Sequence, residues 1–314
     1  MKNTVTLTFL ILIVHFSVPA RQSAENGTQY NKTHYRSTEV GGLNIFYRES
    51  GNPQNKTIVL LHGFPSSSHM YRKVLDQLAD EYHLIAPDYP GFGESDFPSP
   101  STFTYTFDNL ASIIDQFLEK LSLDHYTLMI QDYGAPIGYR IATAHPESVQ
   151  GLIVQNGNIY EEGLGDAWGN VRELWQERSE QIEAPLLNVF SLEALEWQYT
   201  YGTRSPENIN PDSWNLDFTR LSRPESHRAN LDLFYDYRNN IKLYPEWQKY
   251  LRDSQTPVLI VWGKNDAFFP EAGARAYKKD AKVLDYKIYD TGHFALEEDG
   301  NDIIKRIRFF MKKT

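Results

Sequence analysis

The feature that most constrains this chain is the junction Ile130-Gln131-Asp132-Tyr133-Gly134-Ala135, where an apolar run from Tyr126 to Ile130 meets small residues suited to opening a helix. A strand that feeds straight into a helix holds the junction residue in a strained, exposed backbone geometry, and small neighbours relieve the crowding. Gly134 and Ala135 are those neighbours. A serine at the apex would need a base to remove its proton, whereas an aspartate, with an unperturbed pKa of about 3.9, is already an anion at neutral pH and can attack carbon unaided. Taken alone, an aspartate after a strand is ordinarily a helix N-cap. Asp132 becomes a candidate nucleophile only if the chain also supplies a base and a group to hold it, because attack would leave an alkyl ester that water must then cleave.

Both follow in order. Pro257 to Gly263 reads as a buried strand, and Asp266 lies just past its end as the candidate orienting acid. Val283 to Tyr289 alternates in strand fashion, and the loop Asp290-Thr291-Gly292-His293-Phe294 carries the candidate base, His293. Upstream, the short apolar strand Thr57 to Leu61 runs into His62-Gly63-Phe64-Pro65. There the backbone N–H of Phe64, with that of Tyr133, is placed to form an oxyanion hole for ester hydrolysis.

These segments resemble the α/β-hydrolases of the epoxide hydrolase and haloalkane dehalogenase branch, whose members use an aspartate nucleophile and keep the chain order nucleophile, acid, histidine. The resemblance runs from about residue 38 to the C-terminus and includes Asp88-Tyr89-Pro90-Gly91-Phe92-Gly93, in which Asp88 reads as a loop brace. It implies an α/β-hydrolase fold: a mostly parallel central sheet with helices on both faces and an inserted helical cap. The expected division is a core of residues 38–158 and 246–314 with a cap over 159–245. Epoxide opening would need donors to the ring oxygen, and the cap region from Tyr160 to Tyr244 holds six tyrosines. Tyr237, in Tyr235-Asp236-Tyr237-Arg238-Asn239, is similar to the segment that carries a ring-opening tyrosine in epoxide hydrolases, and Tyr199 resembles its partner. The expected activity is epoxide hydrolysis to a vicinal diol, with haloalkane dehalogenation and silent small-ligand binding as alternatives. Dehalogenases of this branch carry a tryptophan after the nucleophile, and this chain has Tyr133; Trp168 or Trp175 could serve as a halide-holding cap tryptophan, though both also suit a core.

Composition narrows the remaining classes. A formal net charge of −10 with no basic stripe argues against nucleic acid and anionic membrane partners and is compatible with a small neutral apolar substrate and water. There is no cysteine, and the nine histidines show no metal-ligand spacing, so neither a metal nor a cofactor is expected. His62 reads as a brace of the oxyanion loop and His145 as a helix terminus. Lys2, the apolar stretch from Leu7 to Phe16 and the small residues up to Ala20 read as a cleaved signal peptide over residues 1–20, too short to span a bilayer. Export to the periplasm or the medium is the expectation, with residues 21–37 as a disordered leader and no membrane span after cleavage.

Overall fold

The computed structural model describes residues 32–314. The expected signal peptide, and most of the leader, lie outside the described residues. The end of the leader does not: β1 (His34–Val40) pairs antiparallel along its whole length with β2 (Leu43–Ser50). That is a correction to the expected disorder through residue 37. The hairpin closes on Gly41 and Gly42, whose φ values of +57° and +79° have the sign that two-residue turns of the primed type require.

After the hairpin the chain alternates strand and helix: β3 (Thr57–Leu61), α1 (Arg72–Gln77), β4 (His83–Pro87), α2 (Phe107–Lys120), β5 (Tyr126–Gln131), α3 (Gly134–Ala144) and β6 (Val149–Gln155). β3, β4 and β5 are buried at every position, as strands covered by helices on both faces must be. After an excursion of about a hundred residues, β7 (Pro257–Gly263) and β8 (Lys282–Tyr289) extend the same sheet. Its eight strands run in the order β1-β2-β4-β3-β5-β6-β7-β8, antiparallel where β2 meets β1 and β4, parallel from β4 onward. Leu61 lies beside Ile130, Gln131 beside Gln155, and Gln155 beside Val261. The carboxyl ends of β3, β5, β6 and β7 therefore form one row, where ligands of open parallel sheets bind.

The excursion consists of α4 (Gly169–Gln176), α5 (Glu180–Leu186), α6 (Leu192–Thr200), α7 (Asp212–Leu221) and the long α8 (Pro224–Ser254). On α8 the buried residues Leu233, Tyr237, Asn240, Tyr244, Trp247 and Leu251 recur every three or four positions, one continuous inward stripe. Pro245 lies inside this helix, so the expected cap boundary between residues 245 and 246 falls within one unbroken element. Beyond Tyr244 its stripe packs on the core, with Trp247 stacked on Tyr139 of α3. Arg204 fastens the cap to the C-terminal part of the core by pairing with Asp299 and donating to the Asp290 carbonyl. The chain finishes with α9 (Glu271–Ala276) before β8 and α10 (Ala295–Met311) after it.

The close approach of α3 to β3 sets the geometry at the end of β5. A Cβ on Gly134 would stand 2.1 Å from the Leu61 carbonyl oxygen, so Gly134→Ala must push the helix away from the strand. The expected outcome is a loss of about 1–3 kcal/mol in urea unfolding; an unchanged unfolding midpoint would mean that the contact yields without cost.

Candidate active site

Asp132 sits at the turn between β5 and α3 with φ at +48°, a left-handed conformation that a residue with a Cβ adopts only under constraint. The constraint is crowding: besides Gly134 on Leu61, Gly63 lies so near that a Cβ there would be 2.3 Å from Asp132 Cβ. The two carboxylate oxygens are used differently. Oδ1 accepts the backbone N–H groups of Phe64 at 2.8 Å and Tyr133 at 2.5 Å. Oδ2 lies 3.9 Å from His293 Nε2, beyond hydrogen-bond range. The expected nucleophile and both expected oxyanion-hole amides are thus brought together.

His293 stands on the loop after β8, its Nδ1 2.7 Å from Asp266 Oδ2. Asp266 Oδ1 accepts the N–H of Phe268 at 2.8 Å, and Oδ2 also accepts Asn156 Nδ2 at 2.8 Å. With Asp266 receiving the Nδ1 proton, the lone pair of neutral His293 is on Nε2. That nitrogen is 2.7 Å from the side-chain nitrogen of Gln131, a fully buried residue at the end of β5.

Asn156 and Gln131 escaped the reading of the sequence. Asn156, at positive φ just past β6, donates to Asp266 and to the Gly263 carbonyl, accepts the Gly263 N–H and offers its own carbonyl to the Asp132 N–H. It ties the nucleophile turn to the acid loop. A polar residue directly after an apolar strand was its only signal. His62 and Asp88 brace the oxyanion loop: His62 stacks on Tyr89 at 4.0 Å, its pKa lowered by burial to about 3, and Asp88 accepts the N–H groups of Ser68 and Glu94.

Burial is the largest influence on Asp132 and pushes its carboxyl up to about 6, against the opposing pull of His293 and the two N–H donors, with Asp266 adding to the rise. For His293 burial again acts most strongly and pulls down, but the charge of Asp266, its hydrogen bond to the ring and the charge of Asp132 together outweigh it, leaving the imidazole above its ordinary value.

A cavity of about 90 Å³ opens over Asp132 and His293. Its walls include Phe64, Trp168, Val171, Leu186, Phe234 and Phe268, with Tyr133 and the Gln198 side chain also on its lining. The expected donors Tyr237 and Tyr199 are not on that lining, which corrects the sequence-based assignment. Tyr199 stacks on Phe294 at 3.9 Å and gives its hydroxyl to Asp217, while the Tyr237 hydroxyl is 3.4 Å from that of Tyr244. Adjacent positions on α6 point about 100° apart, so turning Tyr199 into the core turns Gln198 to the cavity. Trp168 donates its indole N–H to the Phe268 carbonyl and Trp175 to that of Phe234, so neither is free for an anion. Among the described residues no group of three or more histidine or acidic side chains could hold a metal ion.

Residues 56–300 match the family described as alpha/beta hydrolase fold, and the chain belongs to that family. It is 44% identical over 260 residues to an uncharacterized hydrolase of Saccharomyces cerevisiae, covering 82% of this chain and 89% of that one. It is 40% identical over 112 residues to haloalkane dehalogenase 2 of Mycobacterium tuberculosis, a stretch covering 36% of this chain and 38% of the relative. The crystal structure of Cfl2 from Burkholderia cenocepacia superposes with a TM-score of 0.74 at 26% identity, covering 88% of this chain and 96% of that one.

A raised carboxyl carries a stability signature of definite sign. As pH falls through about 6 the folded protein takes up a proton at Asp132, before the unfolded chain does so near the ordinary value of about 3.9. Stability withheld by this residue at neutral pH is therefore regained across that window. Asp132→Asn removes the charge and keeps the shape. It should be more stable than wild type by about 3 kcal/mol at neutral pH, with the gap closing by about pH 4 in thermal unfolding. A destabilised Asn variant at neutral pH would contradict this.

Proposed function

We propose that the protein hydrolyses a small, neutral, apolar electrophile in two steps, with Asp132 as nucleophile, His293 as base and Asp266 as orienting acid. The observation that carries this reading is the unequal use of the Asp132 oxygens: Oδ1 is held by two backbone donors, and Oδ2 faces the cavity without one. Attack through Oδ2 makes an ester whose carbonyl oxygen, Oδ1, already occupies the hole formed by the Phe64 and Tyr133 amides. Water deprotonated by His293 Nε2 then adds to the carboxyl carbon, and the charge that forms on Oδ1 is met by donors already in place, each worth about 2.7–4 kcal/mol in comparable sites. Esterification also removes the Asp132 charge that helps hold the His293 pKa up, so the base is easier to keep neutral in the step that uses it.

The finer reading is epoxide opening. Two observations support it: Trp168, the tryptophan on the cavity lining, has its indole N–H committed to a carbonyl, as does Trp175, and among the described residues the Gln198 amide, on that lining, has no hydrogen-bond partner. Gln198 would hydrogen-bond the ring oxygen in place of the tyrosines expected there, and the alkoxide left by ring opening would take its proton from water, since an amide donates a hydrogen bond but not its proton. Haloalkane dehalogenation is the second reading, favoured by the identity to a mycobacterial dehalogenase over about a third of the chain. A cavity of about 90 Å³, against the roughly 300–1,000 Å³ of ordinary ligand sites, argues for a compact substrate in either case. The segment before Ala20 supports action outside the cytoplasm.

His293→Gln should accumulate an ester at Asp132, read by mass spectrometry after incubation with a short terminal epoxide and, separately, a short terminal bromoalkane. An adduct keeping the whole epoxide mass supports the first reading; an alkyl adduct without bromine supports the second. Asp132→Asn should form neither, and an adduct on that variant, or none on His293→Gln, would contradict the scheme. In the wild type, the rate of ester formation should fall about tenfold per pH unit below about pH 6, as Asp132 takes up its proton.

A further inference from the structure

Gln131 is fully buried beneath the nucleophile turn, and its side-chain nitrogen meets His293 Nε2 at 2.7 Å. The opposite end of the amide, Oε1, is buried without a partner among the described residues and lies against Gly63, where a Cβ would stand 2.3 Å from it. A glutamine so tightly enclosed, with its carbonyl oxygen unpaired, costs free energy that a leucine of similar size would not. Its one polar contact is on the atom that the proposed reaction uses as a base.

We propose that Gln131 is a positioning residue that keeps His293 a neutral base, by donating its amide N–H to the Nε2 lone pair. This rests on the two-step reading for its catalytic meaning, though not for its test. Nδ1 is committed as donor to Asp266, so a second N–H can point at Nε2 only while that nitrogen carries a lone pair. Protonation of Nε2 would set two N–H groups against each other. The charged groups facing the ring are Asp266, from the loop after β7, and Asp132, at the end of β5; Phe268, Phe269 and Phe294 are its aromatic neighbours. Both charged neighbours are anions that favour imidazolium, and Gln131 is the polar side chain that opposes them. It matters most in the resting enzyme, before esterification removes one of the two charges; in the hydrolytic step the lone pair passes from the Gln131 N–H to the attacking water.

The test is a proton NMR titration of the histidine resonance that disappears in His293→Gln, compared between the full-length wild type and Gln131→Leu, with no substrate present. Loss of one buried hydrogen bond to the neutral ring should raise the His293 midpoint by about 1 pH unit. Gln131→Met, another apolar replacement of similar length, should give the same shift and serves if the leucine variant does not fold. In substrate-bearing experiments the acidic limb of ester breakdown should move up by the same amount. An unchanged midpoint would overturn the proposal. A lowered midpoint would also overturn it, since that is the result expected if the amide oxygen instead accepts from an imidazolium. A raised midpoint in a protein that forms no ester with any electrophile would leave the role of Gln131 standing and remove the two-step reading.

Discussion

Two backbone N–H groups, from Phe64 and Tyr133, converge on a single oxygen of Asp132, and the arrangement of the whole carboxyl edge of the sheet follows from that convergence. The donors belong to segments that follow different strands, β3 and β5, so they meet only because those strands are parallel neighbours with Leu61 beside Ile130. They also need the backbones to approach closely. Gly63 and Gly134 allow this, one against the Asp132 side chain and the other against the Leu61 carbonyl. Side chains can be exchanged at a site of this kind, but the donors themselves are fixed by strand register and by two missing Cβ atoms.

The same geometry concentrates cost in a few residues. Asp132 and Asn156 both hold positive φ at the ends of adjacent strands, and a carboxylate, an imidazole and a second carboxylate are buried within one cluster. Burying a charge without full compensation is expensive, and the rise of the Asp132 carboxyl to about 6 expresses that expense directly. The surrounding strands, apolar and covered on both faces, supply the stability that lets such a cluster persist. Asn156 joins the two halves of the cluster by serving Asp266, both polar groups of Gly263 and the Asp132 N–H at once.

Asp132, Asp266 and His293 were legible in the sequence because each follows an apolar strand, and the row of strand ends in a parallel sheet does the rest. The amides of Phe64 and Tyr133 were legible for the same reason. What escaped depends on contacts distant in sequence. Tyr199 and Tyr237 occupy suggestive segments, but Asp217 captures one hydroxyl and the other faces Tyr244, and no local pattern announces either. Gln198 reaches the cavity only because its neighbour on α6 turns inward. Gln131 and Asn156 looked like ordinary strand ends until His293 and Asp266 were placed beside them. Pro245 reads as punctuation, yet α8 continues through it because its apolar stripe runs on from the cap into the core. The strand at His34–Val40 is exposed over most of its length and so lacks the apolar alternation that would mark it.

In the proposed ester route, oxygen reaches the product from Asp132 and water replaces it on the enzyme. A single turnover of a short terminal epoxide in heavy-oxygen water, with enzyme in excess, tests this directly through mass analysis of both the diol and the peptide that contains Asp132. The ester route leaves heavy oxygen in the Asp132 carboxyl group and none in the diol. Heavy oxygen in the diol with an unlabelled Asp132 would mean that water attacks the substrate itself, and the ester route would be wrong.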